Sequence, residues 1–279
     1  MNKQGKLIDG KVIGGIEWTK MPLDDGSERQ GYTWNVIGGC EHACRWVMPD
    51  GSIAICYAES VATRVAQAHY PEGFAHHYWH PERLVEPALV ETPARIFLDS
   101  MADLFGAWVP AEQIEQVLNA CRNSPWHTFQ ALTKNAPRLL KFALPRNLWA
   151  GVSSPPDQML GHVLDRNSQE KMLHRSLYTL AELAAQGQTT WMSFEPLSWD
   201  VSALVAAHPG ALRWAVIGAA SNGARVYQPD PAHVRALLDV LDEQGVPVFF
   251  KGNLKGNAAA QPWREAFPLD GRQWLEMPS

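Results

Sequence analysis

The sequence predicts an α/β protein: one domain built on a parallel sheet that closes fully or partly into a barrel. Three observations predict it. From residue 32 onward, short apolar runs of strand length alternate with helix-like runs. The strand candidates are apolar almost throughout, as strands covered on both faces are. Nearly every one runs into polar, ionisable or small residues at its C-terminal end: Ser100 and Asp103, Thr133 and Lys134, Ser153 and Ser154, Ser193 and Glu195, Ser221 and Asn222, Lys251 and Asn253. Parallel barrels carry their sites on that edge, spread over many strands. Doubly wound sheets concentrate theirs at one switch point.

Residues 1–31 are rich in Gly, Lys and Asp around one apolar island, Ile16-Glu17-Trp18, and read as an irregular N-terminal segment ahead of a barrel over 32–279. The predicted strands are Tyr32–Gly39, Arg95–Ser100, His127–Leu132, Asn147–Val152, Thr189–Phe194, Arg213–Gly218 and Val246–Lys251, each rich in aromatic or β-branched residues. The predicted helices are Tyr57–His69, Ala111–Arg122, Ala136–Ala143, Ser168–Gln186 and Pro231–Gln244. In the last, Val234, Leu237, Leu238 and Leu241 follow a helical period. Asp230 and Pro231 supply its start and Gly245 its stop. The stretch 69–93 holds four prolines and four of the ten histidines, and reads as a lid or insertion.

Composition narrows the function classes. The chain has 279 residues, is 46% hydrophobic and 19% charged, and carries a net charge of −5. That excludes a mainly disordered chain and a protein that coats nucleic acid by bulk charge. No apolar run reaches the ~20 residues of a membrane helix, and the polar N-terminus lacks a signal-peptide core. Four cysteines in a chain of this length do not form a disulfide scaffold, so a reducing, cytoplasmic setting is expected. Three of them cluster as Cys40, Cys44 and Cys56. Three thiolates on a loop above a sheet suit a thiophilic metal centre with one position left open. Three readings stand at this point: an iron–sulfur cluster, a structural zinc with His42 as fourth ligand, or unliganded cysteines. Cys121 falls on a predicted helix and reads as a small buried hydrophobe.

Thr33-Trp34-Asn35 ahead of Cys40, then Cys56-Tyr57-Ala58-Glu59, resembles the phage-associated three-cysteine family related to the radical S-adenosylmethionine enzymes, on the side of spore photoproduct lyase. Further motifs match in order over residues 16–268. They are Ile16–Thr19, Phe97–Phe105, Leu132–Asn135 with Pro137–Leu139, Trp149–Ser153, Ser193–Leu197, Trp214–Gly218 and Phe249–Lys251. Two departures stand out. The family's two-residue gap between the second and third cysteine is here Arg45–Ile55, with a turn at Pro49–Ser52. The glutamate of its sixth motif is absent from Gly218-Ala219-Ala220-Ser221.

The resemblance implies a partial parallel (β/α)6-type barrel of the radical SAM kind. It implies a [4Fe–4S] cluster on Cys40, Cys44 and Cys56, S-adenosylmethionine on the open iron, and an external electron donor. Asp103 and Ser100 are then expected at the methionyl ammonium, Lys134 at its carboxylate, and Ser153 and Ser154 at the ribose. Glu195 is expected at ribose or substrate, with Glu195 and Asn35 as the catalytic candidates. The implied substrate is a nucleobase, nucleotide or DNA, specifically a modified thymine of phage DNA that is isomerised, in the host cytoplasm if the chain is phage-encoded. The competing class is a zinc-stabilised nucleic-acid-binding protein without catalysis. Trp34, Trp46, Trp108 and Trp126 are candidates for stacking on a base at the mouth, against ordinary packing.

Overall fold

The computed structural model describes residues 1–268. Seven parallel strands form its centre: β1 (Tyr32–Trp34), β2 (Arg95–Leu98), β3 (Thr128–Thr133), β4 (Leu148–Ser153), β5 (Thr190–Phe194), β6 (Trp214–Ile217) and β7 (Val248–Phe250). They lie side by side in chain order, with Asn2–Lys3 antiparallel on the outer edge of β1. An order without reversal is that of a barrel wall, not of a doubly wound sheet. Among the described residues no ladder joins β7 to β1, so the sheet is open by hydrogen bonding. Every predicted strand is present with shifted ends: β3 and β4 start one residue later and run one residue further, to Thr133 and Ser153, the others are shorter, and Tyr32–Gly39 is broken after Trp34.

The helices are α1 (Tyr57–Arg64), α2 (Ala111–Arg122), α3 (Ala136–Leu139), α4 (Arg166–Ala185), α5 (Ser202–Ala206) and α6 (Pro231–Glu243). The α6 boundaries follow from local chemistry. Asp230 accepts from Ala232 N, Pro231 sits in the first turn, and Gly245 takes φ +65° beyond the end. The 1–31 segment is not irregular. It folds as two small hairpins, Lys6–Ile8 with Lys11–Ile13 and Met21–Pro22 with Glu28–Arg29. Strands of two or three residues are too short for an alternation to be read.

Period-2 alternation along the strands sorts the core into two sides. Leu148, Ala150 and Val152 of β4, Met192 and Phe194 of β5, and Ala215 and Ile217 of β6 face the helices. Trp149, Trp191, Trp214, Val216 and Phe249 face inward with Phe97 and are closed off by Trp18. The three central indoles pack with centroids 5.1–5.5 Å apart, and Trp18 lies edge-on to Phe97 at 5.8 Å. Gly151 makes room for this layer: a Cβ there would stand 2.2 Å from Trp191 Cε2 and 2.5 Å from the Ala131 carbonyl oxygen. Gly151→Ala is therefore expected to lower stability by about 1–3 kcal/mol. A urea midpoint equal to wild type would show that the indole has space to yield.

Candidate functional site

The same alternation builds the site. On every central strand but β6, the inward side carried on with period 2 ends in a polar or charged residue at or just past the C-terminus. Those positions are Asn35, Asp99, Lys134, Ser153, Ser193, Glu195 and Lys251, and all line one cavity of about 1580 Å³. Aromatics thus floor the interior and polar groups ring its mouth. Ser100, Asp103, Cys40, Cys44 and Cys56 line the same cavity. Ser154 does not. One residue past Ser153, it points to the other side of the strand end, where its hydroxyl lies 3.5 Å from the Pro196 carbonyl oxygen.

The long gap between Cys44 and Cys56 is an antiparallel hairpin, Arg45–Val47 with Ile53–Ile55. Its base brings the two cysteines together: Cys56 N donates to the Cys44 carbonyl at 3.2 Å. Arg45 fixes the base, donating to both Glu59 oxygens (2.6 and 2.8 Å) and to the Cys44 carbonyl (2.9 Å). At the tip, Asp50 accepts from Arg225 (2.6 Å) and Tyr227 (2.8 Å) on a facing hairpin, so the two hairpins bridge the cavity. Cys40 is held from the 69–93 stretch, its N–H donating to the Phe74 carbonyl at 2.8 Å. That backbone passes so close that a Cβ on Gly39 (φ +83°) would stand 1.8 Å from the His76 oxygen. Cys56 is the N-cap residue of α1, and its side chain makes no capping hydrogen bond to the helix.

Burial pushes the Cys40 thiol well up, and the Asp103 carboxylate adds to it. Burial pushes Cys44 up to about 11, against the pull of Lys134. Held as thiols by burial, Cys40 and Cys44 would need a compensating positive charge, such as that of a metal centre, to ionise. Among the described residues no three His, Cys, Asp or Glu side chains form a ligand set for a single metal ion. A cubane cluster places each thiolate on a different iron and does not need them to converge. His42, the zinc candidate, lines the same cavity: Nε2 bonds Asp103 at 2.8 Å, the ring lies edge-on to Trp108, and Nδ1 has no partner among the described residues.

Asp103 is saturated within the protein. Oδ2 meets His42 Nε2 and accepts from Thr133 Oγ1 (3.0 Å) and Lys134 N (2.9 Å), and Oδ1 accepts from Phe105 N (3.0 Å). It ties the cysteine loop to the ends of β2 and β3 and has little capacity left for a ligand. Lys134 is the opposite case. Its ammonium has no hydrogen-bond partner among the described residues and lies 5.7 Å from the Trp46 ring centroid. Burial works against its charge, but Cys44, Cys56, Asp103 and Cys40 together hold its pKa above the ordinary lysine value. Asn35 Oδ1 accepts from Ser100 Oγ at 3.1 Å. Glu195 is ion-paired with Lys251.

Of the four tryptophans proposed for the mouth, only Trp46 lines the cavity. Trp34 is buried and donates to the Arg83 carbonyl, Trp126 donates to the Val90 carbonyl, and Trp108 packs on His42. Arg138 donates to the Gly106 and Val109 carbonyls and is a structural tie. Cys121 is fully buried in the helix-side core.

Sequence reasoning missed Lys251 as the partner of Glu195, and Asp99. Alternation from Phe97 and Phe249 would have found both. Asp99 is buried; its Oδ1 accepts from Val36 N and Ile37 N, both at 2.9 Å, and its Oδ2 has no partner. Burial pushes its pKa up to about 7, only partly offset by the two N–H groups. A folded-state value above the unfolded one means stability is full below the ordinary 3.8 and is lost as pH rises to about 7. The slope approaches about 1.4 kcal/mol per pH unit. Asp99→Asn keeps the Oδ1 acceptor, and its stability is expected to stay flat over that window. An unchanged pH profile in the variant would refute the assignment.

The chain belongs to the family described as "Protein of unknown function (DUF5131)", which it matches over residues 13–278. No curated protein matches it. Among solved structures it is similar to a mutant of spore photoproduct lyase with bound AdoMet and dinucleoside spore photoproduct, at 8% identity and a TM-score of 0.42. The match covers 82% of this chain and 65% of that one, so this chain spans less than two thirds of that structure's length. No helix among the described residues is long and apolar enough to cross a membrane.

Proposed function

We propose that the chain is a radical S-adenosylmethionine enzyme acting on a nucleobase-type substrate. The observation that carries the reading is the hairpin that returns Cys56 to Cys44 within a cavity also lined by Cys40, at the C-terminal ends of parallel strands. A [4Fe–4S] cluster held by these cysteines, with S-adenosylmethionine and an external electron donor, would supply radical hydrogen abstraction at this site. The cavity volume supports this, because about 1580 Å³ exceeds the 300–1,000 Å³ or so of a pocket for one small molecule.

The protein's own residues then divide the work. Cys40, Cys44 and Cys56 hold the cluster. Lys134, beside them with a free ammonium, binds the methionyl carboxylate. Ser153 and the Asn35–Ser100 pair offer hydroxyl and amide groups to the rest of the cofactor, and Asp103 positions the loops. Glu195 with Lys251 faces the substrate. The motif resemblance supports a nucleobase, with a modified thymine of phage DNA as its most specific form. A base inside a duplex is out of reach of a cavity bridged by two hairpins, so the target is a free nucleotide, a single strand or a flipped base.

Dithionite and S-adenosylmethionine together are expected to yield 5′-deoxyadenosine and methionine. Lys134→Ala should weaken cofactor binding roughly tenfold to a hundredfold, the size of one charge-assisted contact. No cofactor cleavage by the iron-loaded protein would refute the reading.

A further inference from the structure

The side chains that follow β5 and β7 meet across the end of β6. Glu195 and Lys251 form an ion pair inside the cavity, with their side chains 24% and 22% exposed. They meet because Gly218 lies between them. A Cβ at 218 would come within 3.1 Å of Lys251 Cδ, 3.2 Å of Glu195 Cγ and 3.3 Å of Asn253 Oδ1. The neighbouring Asn253 amide is turned away, exchanging hydrogen bonds with Ala219 N (3.0 Å) and Ala219 O (2.9 Å).

The pair is also held from below. Lys251 Nζ lies 5.0 Å from the Trp18 ring centroid, and the Glu17 carboxylate accepts from Gly252 N at 2.7 Å. The N-terminal segment thus fixes the loop that carries Lys251. A partly exposed ion pair adds little to stability, yet this one is seated on three strand ends and left open to the cavity. It presents one donor and one acceptor side by side on a rigid base.

We propose that the Glu195–Lys251 pair reads the substrate by its –C(=O)–NH– edge, the edge of a lactam or imide. Lys251 Nζ donates to the carbonyl oxygen, and a Glu195 oxygen accepts from the adjacent N–H. A carboxylate ligand is repelled by Glu195 and an ammonium by Lys251, whereas a neutral donor–acceptor edge satisfies both without separating them. A carbonyl oxygen carries two lone pairs and accepts an oblique approach, which suits an ammonium already aimed at Glu195. An imide base of the uracil or thymine type pairs a carbonyl acceptor with a ring N–H, whereas cytosine exchanges the two roles, a ring nitrogen accepting and an exocyclic amine donating, and so presents the wrong group to each side chain. The inference rests on the nucleobase reading above and names the feature of the base that is recognised.

The test is calorimetric titration of the iron-loaded protein with thymidine, N3-methylthymidine and deoxycytidine. Thymidine is expected to bind. N3-methylthymidine, which lacks only the N–H, should bind roughly tenfold to a hundredfold more weakly, as should deoxycytidine. In Lys251→Met and Glu195→Gln, checked for folding by thermal melting, that discrimination should collapse while S-adenosylmethionine still binds. Equal affinity for thymidine and its N3-methyl derivative, equal affinity for deoxycytidine, or no binding of any of the three overturns the proposal. Full cofactor cleavage without N3 discrimination sinks this inference alone. N3 discrimination in a chain that takes up no iron sinks the radical-enzyme reading alone.

Discussion

Replacing Cys40, Cys44 or Cys56 by Ala is expected to abolish iron–sulfur incorporation, leaving a colourless protein where the wild type is brown with broad absorbance near about 400 nm. The effect is all-or-none because three protein thiolates are the minimum that holds a cubane with one open iron, and the cavity lining has no fourth cysteine. Cys121 is fully buried in the helix-side core, and burial pushes its thiol well up. Cys121→Ala should therefore keep the colour and lose only the stability of a small core deletion. Cys56 carries the sharpest form of the test, since it reaches Cys44 only through the hairpin. Deleting the tip, residues 49–52, while rejoining the two strands should retain the cluster, because Arg45 and Glu59 still clamp the base. Colour in the Cys56→Ala variant would contradict the three-cysteine site.

Asp103→Ala should be the most destabilising single change at the site, by about 3–5 kcal/mol in urea unfolding. Four groups lose their acceptor at once: His42 Nε2, Thr133 Oγ1, Lys134 N and Phe105 N. They belong to the cysteine loop and to the ends of β2 and β3, so the loss spreads from one carboxylate to the geometry of the whole site. Burial pushes the Asp103 pKa up, but the hydrogen bond and charge of His42, with those from Lys134 N and Thr133, bring it below the ordinary carboxylate value. A depressed folded-state pKa contributes stability that is present above the ordinary value and is lost as pH falls through the folded one. The wild type should therefore lose stability on acidification in a way that Asp103→Ala does not. A variant as stable as wild type would show that the donors find water instead.

Much of this was legible in the sequence, for identifiable reasons. The seven parallel strands were readable because each is an apolar run bounded by turn residues, and α6 because its cap, proline and glycine are local signals. The polar residues after the strands marked the cavity edge, since period 2 carries an inward aromatic such as Trp191 through Ser193 to an inward acid, Glu195, four residues on. Other features depend on partners distant in sequence. The pairing of Glu195 with Lys251 needs Gly218 of a third strand between them. The saturation of Asp103 needs His42, 61 residues away. Ser154 lies off the cavity because the strand runs through Ser153, an inward position, and the next residue turns to the other side. The 1–31 hairpins have strands too short to show any period, and α5 spans only five residues.

What the three cysteines hold decides the chemistry of the site. Anaerobic reconstitution followed by metal and sulfide analysis of the full chain measures this directly. About four iron and four sulfide per chain, with an absorbance lost in each of the three cysteine variants, is the predicted result. One tightly bound zinc per chain with no sulfide would contradict it, and with it the proposed radical chemistry.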